Sequence, residues 1–384
     1  MMKFKEVFPP TAYSEAIADK ITYARDGSEF EGIVKAVVYP TTREQIINLL
    51  MLGKSEKLHF TIRGAGTNTL GSCVPANSVV VDLSRMNKII EITTDSVTVE
   101  PGVILGDLLK ELKKKGLFFP IKPLEYNVCS IGGLVAMNSF GLDIRYGRVE
   151  KWIEELEVID GNNKKLKVSG AQLKDFVGME GTTGIIYSIK LKLLSAPLPK
   201  TISIFKFNTI TALMDKYNFV SNNKHVISVY FLDEFCSSFL ELGNSLLLIV
   251  EYDNDNGVLK SEEEIANLDL FMERLQHLLI NKKYVSKEDP FIPLENIPQF
   301  IQWLRKNAIP CYGYMHLGIF HPCFREASPL NTELYNVVKV LKGLVPGEYG
   351  IGIKRKQFLS DSKLSRIKSN YDPSKVFNRG VLID

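Results

Sequence analysis

Three glycine-rich stretches have a composition and spacing that could bind a ligand. The first, residues 63–71, reads Arg-Gly-Ala-Gly-Thr-Asn-Thr-Leu-Gly and follows a short alternating run at 58–62. Glycine tolerates positive φ angles and lets a ligand approach the backbone closely. Successive N–H groups of such a turn can point to one side and form an anion site. An ordinary tight loop could have the same composition, so this stretch alone leaves both interpretations open.

Two later stretches have similar chemistry. Residues 130–141 read Ser-Ile-Gly-Gly-Leu-Val-Ala-Met-Asn-Ser-Phe-Gly, and residues 178–186 read Gly-Met-Glu-Gly-Thr-Thr-Gly-Ile-Ile. The paired glycines of the first predict a tight turn into a helix, where exposed N–H groups attract phosphate. Helix packing is an alternative explanation for that pair. Together, the three stretches favour a ligand that contains phosphate.

Alternating strands and helices must position these loops. The pattern predicts a capped helix at 11–18, strands at 33–39, 58–62, 79–83 and 97–100, helices from 41 and at 103–115, and a hairpin across 152–168. This order indicates an α/β unit. Prolines at 197 and 199 mark a domain boundary. Beyond it, strands at 201–207, 226–232 and 246–252 with helices at 209–221 and 258–280 predict an α+β domain with one sheet face covered by helices.

Composition excludes several classes of protein. A length of 384 residues suggests two or three domains, and 45% hydrophobic with 24% charged residues is typical of soluble proteins. A net charge of +3 does not favour a nucleic-acid partner. No apolar run approaches the ~18 residues of a membrane span, and the N-terminus has no signal-peptide pattern. Five scattered cysteines without a Cys-x-x-Cys pair argue against iron–sulfur or structural zinc sites and predict a cytoplasmic protein.

The ordered motifs resemble the PCMH-type FAD-binding domain of the family typified by vanillyl-alcohol oxidase. Within it, they are most similar to D-lactate, glycolate and D-2-hydroxyglutarate dehydrogenases. The matching segments are Pro40-Thr-Thr-Arg-Glu, Arg63-Gly-Ala-Gly-Thr-Asn, Val81-Asp-Leu-Ser-Arg-Met-Asn, Val99-Glu-Pro-Gly-Val, Ser130-Ile-Gly-Gly, Asn138, Tyr146-Gly147, Gly178-Met-Glu-Gly-Thr-Thr-Gly-Ile-Ile and Asp372-Pro with Phe377-Asn. The resemblance covers residues 30–197 well and the remainder more loosely.

The resemblance implies an α+β fold in three parts. Residues 1–197 would form a two-subdomain FAD-binding domain, residues 198–330 a smaller, ferredoxin-like cap domain on the substrate side, and residues 331–384 a C-terminal return to the FAD domain. FAD is expected to be non-covalent, because the first loop has no histidine and Cys73 lies at an unmatched position. The positions expected to contact FAD are Arg63, Gly64, Ala65, Gly66, Thr67, Asn68, Thr69, Pro101, Gly102, Ser130, Gly132, Gly133, Asn138, Tyr146, Gly147, Glu180, Gly181, Gly184, Ile186 and Asn378.

Substrate chemistry is expected in the second half of the chain. By resemblance, Lys287 would bind the substrate carboxylate, with Arg274 as a second candidate. His316 and His321 resemble the family's two-histidine metal motif, and Glu348 matches its third ligand, for a divalent metal such as zinc or manganese. Here the histidines are only five positions apart and the Asp-Gly between them is missing. Two hydrogen-bonded histidines without metal are therefore the alternative.

Tyr349 is the sharpest departure from the family. It stands where the family has the histidine credited with taking the substrate hydroxyl proton. A phenol with a reference pKa near ~10 can do this only if a neighbouring cation or metal stabilises the phenolate. Lys354 and Arg355 are close in sequence and could help.

These features imply an FAD-dependent dehydrogenase that oxidises a small D-2-hydroxy acid by hydride transfer to the flavin. One alternative is a catalytically weak FAD-binding subunit of a multi-subunit glycolate or lactate oxidase complex. Another is an FAD oxidase acting on an alcohol or a sugar. Electrons would pass to a separate acceptor, which the sequence leaves open among a quinone, an electron-transfer protein and oxygen. Peripheral attachment to a membrane through such a partner is compatible with the cytoplasmic prediction.

Overall fold

The computed structural model describes residues 3–141, 143, 145–195, 200–325, 330–345, 347–348, 350–359 and 362–383. The chain divides into two compact units. The first comprises Met1–Gly141, Gly147–Ala196 and Tyr349–Asp384, and the second comprises Leu142–Tyr146 and Pro197–Glu348. The domain boundaries drawn from the sequence stay a prediction, since a compact unit need not coincide with a domain.

A four-stranded sheet begins the first unit. Its elements are β1 (Tyr13–Ser14), α1 (Ile17–Tyr23), β2 (Val34–Val38), α2 (Arg43–Glu56), β3 (Phe60–Arg63) and β4 (Ser78–Asp82), with strand order β1-β2-β4-β3. β2, β4 and β3 are parallel, while β1 is antiparallel to β2. Thr42 caps α2 by accepting a hydrogen bond from Gln45 N, and the helix ends at Lys57, whose φ is 52°.

The helix predicted at 11–18 is wrong. Residues 13 and 14 pair with Val38 and Val37 as strand β1, and the helix begins only at Ile17. Ser14 Oγ accepts from Ala16 N and donates to the Asp19 carboxylate. Pairing with the neighbouring strand therefore overrides the local helix signal.

An antiparallel sheet follows in the same unit. Its elements are β5 (Ile89–Ile92), β6 (Ser96–Val99), α3 (Leu105–Lys114), β7 (Leu117–Phe118), α4 (Ile131–Ala136), β8 (Ile153–Asp160), β9 (Lys165–Ser169), β10 (Gly184–Lys192) and β11 (Leu194–Ser195). The order is β5-β6-β10-β8-β9, and β7 pairs separately with β11. The β8–β9 hairpin closes through Asp160 Oδ1, which accepts from Asn162 N and Lys164 N at 2.9 and 2.8 Å.

The C-terminal residues complete the first unit. Helix α10 (Ser362–Tyr371) precedes a short extended segment that runs beside the free edge of β3. Phe60 N donates to Val376 O at 2.7 Å, and Asn378 N donates to Phe60 O at 2.9 Å. β3 therefore lies between β4 and this segment, and the loop after β3 begins next to the chain's C-terminal end.

The second unit is built on a six-stranded antiparallel sheet. Its elements are β12 (Thr201–Phe207), α5 (Ile210–Ser221), β13 (Val226–Leu232), α6 (Glu234–Phe239), β14 (Leu246–Tyr252), α7 (Glu262–Asn281), β15 (Tyr284–Lys287), α8 (Ile297–Lys306), β16 (Cys311–Tyr314), β17 (Ile319–Arg325) and α9 (Leu330–Val340). The order is β12-β14-β13-β16-β17-β15. β12, β13 and β14 have the bounds predicted from the sequence. Buried side chains of α5, α8 and α9, including Leu213, Phe300 and Leu334, form a core with the sheet.

Candidate functional site

The loop at 63–71 follows β3 and contains a set of unsatisfied backbone N–H donors. Among the described residues, the N–H groups of Gly64, Ala65, Gly66 and Thr67 donate to no protein acceptor. Thr69 Oγ1 is buried and has no partner in the same described part of the chain. Asn68 Oδ1 accepts from the N–H groups of residues 70 and 72, at 2.8 and 3.1 Å, which folds the end of the loop. Phosphate oxygens are acceptors that would satisfy these donors, so the loop fits a pyrophosphate.

The predicted cofactor loops meet one another through their glycines. A Cβ atom on Gly64 would lie 2.4 Å from Ser130 Oγ, and a Cβ atom on Gly132 would lie 2.7 Å from Pro101 Cβ. Ser130 caps α4 by accepting from Gly133 N at 3.2 Å. Three segments that are distant in sequence therefore come together at the start of the first loop. Close packing explains the missing side chains at Gly64 and Gly132.

Arg63 supports the loop from the protein side. Its Nη1 donates to Arg25 O at 2.8 Å and lies 3.7 Å from Cys73 Sγ. Its guanidinium carbon is 5.3 Å from the centroid of the Tyr23 ring. Gly66, with a φ of 71°, packs so closely that a Cβ atom there would be 2.1 Å from Arg63 Nη2. Arg63 thus binds the neighbouring backbone, and direct contact with FAD stays a prediction.

Glu180 and Asn378 are bound by protein groups. Both are buried, and Glu180 has a φ of 51°. The Glu180 carboxylate accepts from Ser72 Oγ, Ile351 N and Gly352 N at 2.7, 2.8 and 2.9 Å. Asn378 Nδ2 donates to the carbonyl oxygens of Ser72 and Glu180 at 3.1 Å each. The two side chains therefore join segments of the first unit.

The other predicted cofactor positions occupy more varied surroundings. Asn138 has a φ of 49° and accepts through Oδ1 from Glu150 N at 3.3 Å. Gly184 and Ile186 lie in β10, and Gly181 packs against the amide of Asn378. Gly102 packs against the carbonyl oxygen of Leu83, and Gly147 has a φ of 66°. Tyr146 belongs to the second unit, where burial raises its pKa.

In the second unit, one face of the β15–β16–β17 region is polar. Register pairs Tyr312 with His321 and Lys287 with Cys323. Because side chains alternate along a strand, these four residues and Tyr314 share one face of the sheet. Phe320 and Phe324 point to the opposite face and enter the hydrophobic core.

His321 and Glu348 are brought together on this polar face. The His321 ring is fully buried, stacks on Tyr312 with centroids 4.6 Å apart, and meets Tyr314 edge-on at 5.4 Å. Its Nε2 is 3.3 Å from Glu348 Oε2. The backbone N–H of Glu348 donates to the Asp289 carboxylate, which is also buried. The imidazole is therefore oriented by two aromatic rings and one carboxylate.

His316 is separated from His321 by a turn of the chain. It lies in the short helical turn Met315–Leu317, which ends at Gly318 with a φ of 66°. Its Nδ1 accepts from Val229 N at 2.9 Å. Within the described residues, no group of three histidine, cysteine, aspartate or glutamate side chains is arranged to hold a metal ion.

Lys287 lies beside a residue that the sequence did not indicate. Its Nζ donates to Gln276 Oε1 at 2.5 Å, and the Tyr312 hydroxyl donates to the same oxygen at 3.4 Å. Gln276 Nε2 is buried and has no partner among the residues described. Arg274 is elsewhere on α7, half exposed and 3.7 Å from Glu241. Of the two predicted cations, only Lys287 is grouped with the polar face.

Tyr349 lies outside the described residues. The two cations expected to assist it have partners within the first unit. Lys354 Nζ is 3.3 Å from the Glu29 carboxylate. Arg355 is completely buried and donates through Nη1 to Gly350 O at 3.2 Å.

Comparison with known proteins agrees with the geometry of the loops. Residues 34–169 match the model of the FAD binding domain family. Over these residues, the chain is similar to proteins with an FAD binding domain. This FAD-binding domain carries the loop with the unsatisfied donors. Across the described residues, no helix is long and apolar enough to cross a membrane.

Three relatives belong to the branch that the motifs indicated. Glycolate oxidase subunit GlcD of Bacillus subtilis is 24% identical, over 98% of this chain and 95% of its own. D-2-hydroxyglutarate dehydrogenase of Stutzerimonas stutzeri is 24% identical, over 94% and 93%. The mitochondrial D-lactate dehydrogenase [cytochrome] of Arabidopsis thaliana is 24% identical, over 91% and 74%. The resemblance inferred from the sequence is thereby confirmed.

A solved structure of alkyldihydroxyacetonephosphate synthase has the same fold. Its TM-score is 0.73 at 16% identity, and the match covers 98% of this chain and 83% of that one. The chain therefore has the mixed α/β fold of an FAD-binding protein. The ferredoxin-like assignment of the second unit stays a prediction.

Proposed function

We propose that this protein oxidises a small D-2-hydroxy acid, such as D-lactate or glycolate, to the 2-oxo acid. The observation that carries the proposal is the similarity, over 98% of the chain, to a glycolate oxidase subunit. D-lactate and D-2-hydroxyglutarate dehydrogenases match over similar lengths. The free donors of the loop and the polar face of the second unit support the same activity, because they offer a pyrophosphate site and partners for an acid.

The residues of the first unit would hold FAD without a covalent bond. The N–H groups of Gly64, Ala65, Gly66 and Thr67 and the hydroxyl of Thr69 would donate to the pyrophosphate. When bound, FAD supplies the hydride acceptor, while the protein supplies binding and orientation. Asn68 preserves the shape of the loop through its two backbone hydrogen bonds.

The residues of the second unit would bind and orient the substrate. Lys287 provides the positive charge for the carboxylate, and Gln276 holds its ammonium group in place. The buried Nε2 of Gln276 is a further donor that a carboxylate oxygen could use. A charge-assisted hydrogen bond of this kind is stronger than a neutral one.

Two groups are candidates for taking the hydroxyl proton. Tyr349 occupies the position of the family's base, while His321 has the side chain suited to the task and is oriented by Glu348. A more specific version of the proposal adds a divalent metal such as zinc or manganese, bound by His316, His321 and Glu348. In this form His316 would bind the metal through Nε2, because its Nδ1 accepts from Val229 N, and the proton would be left to Tyr349.

Anaerobic titration of the purified protein tests the activity. The flavin absorbance should bleach when D-lactate, glycolate or D-2-hydroxyglutarate is added, and L-lactate is the control for stereochemistry. A flavin that remains oxidised with all three acids would contradict the proposal. Metal analysis of the same sample tests the metal, and loss of bleaching after chelation would support it.

A second candidate function is a subunit that works only within a larger complex. The relative from Bacillus subtilis is itself named as a subunit, and the family's histidine base is replaced here by Tyr349. Turnover by the isolated chain with an artificial dye as electron acceptor would dismiss this function. The natural acceptor is proposed to be separate: a quinone, an electron-transfer protein or oxygen.

A further inference from the structure

Glu180 joins two segments of the first unit that are far apart in sequence. Only 4% of the residue is exposed, and its backbone has a left-handed φ of 51°. One donor to its carboxylate, Ser72 Oγ, directly follows the loop at 63–71. The other two, Ile351 N and Gly352 N, belong to the segment 350–355, here called the return segment. A buried carboxylate is costly unless hydrogen bonds satisfy it, so these three bonds hold both segments to one side chain.

The return segment also bonds directly to the loop. The carbonyl oxygen of Leu70 accepts from Ile353 N at 2.9 Å and from Lys354 N at 3.2 Å. Gly352, with a φ of 59°, packs so closely that a Cβ atom there would be 2.2 Å from the same oxygen. The return segment therefore lies against Leu70 and Gly71, at the end of the loop at 63–71.

Two further buried groups strengthen this connection. Asn378 Nδ2 donates to both Ser72 O and Glu180 O, which fixes the backbone on either side of the carboxylate. Arg355 is fully buried and donates to Gly350 O at 3.2 Å. Burial raises the pKa of Glu180, while the hydrogen bonds and the charge of Arg355 oppose this rise.

We propose that Glu180 is a positioning residue that couples cofactor binding to the return segment. The loop at 64–67 has unsatisfied donors, so its order should increase when a pyrophosphate occupies it. Leu70 of this loop bonds directly to the return segment, and Ser72, which follows the loop, is joined to it through Glu180. The return segment begins directly after Glu348 and Tyr349. Flavin binding would thus fix the chain next to the catalytic residues. The coupling is reciprocal by linkage. This inference rests on the proposed function.

Hydrogen exchange measured with and without FAD tests the coupling. In the wild-type chain, FAD should slow exchange both in the loop 63–72 and at the amides of 351–354, the latter by about fivefold or more. In Glu180→Gln, an amide nitrogen replaces one of the two acceptor oxygens of the side chain. FAD should still protect the loop in this variant. The protection at 351–354 should fall below about twofold.

Asp160→Asn is the matched control. Asp160 is equally buried in the same unit and accepts two backbone N–H groups, yet it lies in the β8–β9 turn. Its replacement should leave the FAD-dependent protection of 351–354 unchanged. The comparison separates coupling from a general loss of buried carboxylate hydrogen bonds.

The outcomes distinguish this inference from the proposed function. If FAD protects nothing in the wild-type chain and no flavin absorbance is retained, the cofactor assignment is wrong. If FAD protects 351–354 equally in wild type and Glu180→Gln, the coupling is overturned while the cofactor assignment stands. Should Glu180→Gln fail to fold, Ser72→Ala removes only the hydrogen bond from Ser72 Oγ to the Glu180 carboxylate. Unchanged protection of 351–354 in that variant overturns the coupling in the same way.

Discussion

The ammonium group of Lys287 lies 2.5 Å from the side-chain oxygen of Gln276. The two residues come from β15 and α7, eleven positions apart, and the Tyr312 hydroxyl shares the same oxygen. This contact fixes the direction of a side chain that is otherwise long and mobile. Arg274, the other cation that the sequence predicted for the substrate carboxylate, lies 3.7 Å from Glu241 instead.

Replacing Lys287 should weaken substrate binding. Hydrogen bonds to charged groups contribute about 1.5–3 kcal/mol, so Lys287→Met should lower kcat/KM by about 10- to 150-fold, mostly through KM. Arg274→Met is the control, because its guanidinium faces Glu241 and is half exposed. Steady-state kinetics with the acid that bleaches the flavin measure both. Equal losses in the two variants would remove Lys287 from its assigned role.

Gln276 should also affect the binding of the substrate carboxylate by Lys287. In Gln276→Glu, the new carboxylate would pair with Lys287 and compete with the substrate carboxylate, so KM should rise. Gln276→Leu removes both the acceptor for Lys287 and the buried donor, and should raise KM as well. A flavin spectrum identical to that of the wild type would show that the cofactor site is intact. An unchanged KM in both variants would contradict a role for Gln276.

Gly66 should be required for flavin binding. A methyl group at this position meets Arg63 and must adopt a φ of 71°. The strain alone costs about 1 kcal/mol, and displacement of Arg63 should reduce FAD affinity further, by about tenfold or more. Gly116→Ala is a matched control, since Gly116 has a φ of 66° but no atom within 4 Å of the added methyl. Both variants should lose stability in thermal unfolding, whereas only Gly66→Ala should lose flavin in equilibrium titration.

The turn and the accessible donors of the loop at 63–71 could be predicted because their chemistry is local. A strand followed by Gly-Ala-Gly-Thr-Asn predicts, from neighbouring residues alone, a backbone that turns and remains accessible. The structure gives the same segment φ angles above 60° at Gly66 and Gly71 and unpaired donors at 64–67. β13 and β14 were predictable for a similar reason, because each is a short, strongly apolar run, and β12 was predictable because apolar residues alternate with polar ones along most of it.

The polar face could not be predicted in the same way. Gln276 lies on a helix where glutamine is an ordinary surface residue, and its importance arises only when α7 packs beside β15. Glu180 and Asn378 were expected to contact FAD because they lie in family motifs. In the structure the Glu180 carboxylate binds Ser72 and the backbone of the return segment, and Asn378 binds the carbonyl oxygens of Ser72 and Glu180. Their contact with FAD stays a prediction. Long-range hydrogen bonds of this kind leave no periodic signal in the sequence.

Stability should depend on Asp233 as the pH changes. Burial raises the pKa of Asp233 from its ordinary value of 3.8 to about 7, although the backbone N–H groups of Cys236 and Cys311 oppose this rise. A carboxyl group with a raised folded-state pKa stabilises the fold fully below its unfolded pKa. This contribution is lost as the pH rises from about 4 to about 7, at no more than about 1.4 kcal/mol per pH unit.

Asp233→Asn removes this titration. The difference in unfolding free energy between wild type and variant should therefore change between pH 4 and pH 7 and become constant above it. Urea unfolding at a series of pH values measures the difference. Asp160→Asn, at a carboxyl with two comparable backbone donors, is the reference for loss of an acceptor. A difference that does not vary with pH would contradict the raised pKa.

The proton acceptor can be identified by comparing Tyr349→Phe with His321→Asn. Removing a general base typically lowers the chemical step by about 10²–10⁴-fold. Anaerobic stopped-flow reduction of the flavin isolates that step from reoxidation by the acceptor. If His321 is the base, His321→Asn should lose this factor, and Tyr349→Phe should remain within about tenfold of the wild type. Glu348→Gln should then show a smaller loss, since Glu348 contacts the imidazole at 3.3 Å and orients it. The reverse pattern assigns the proton to Tyr349, and near-normal reduction in both variants would exclude each as the base.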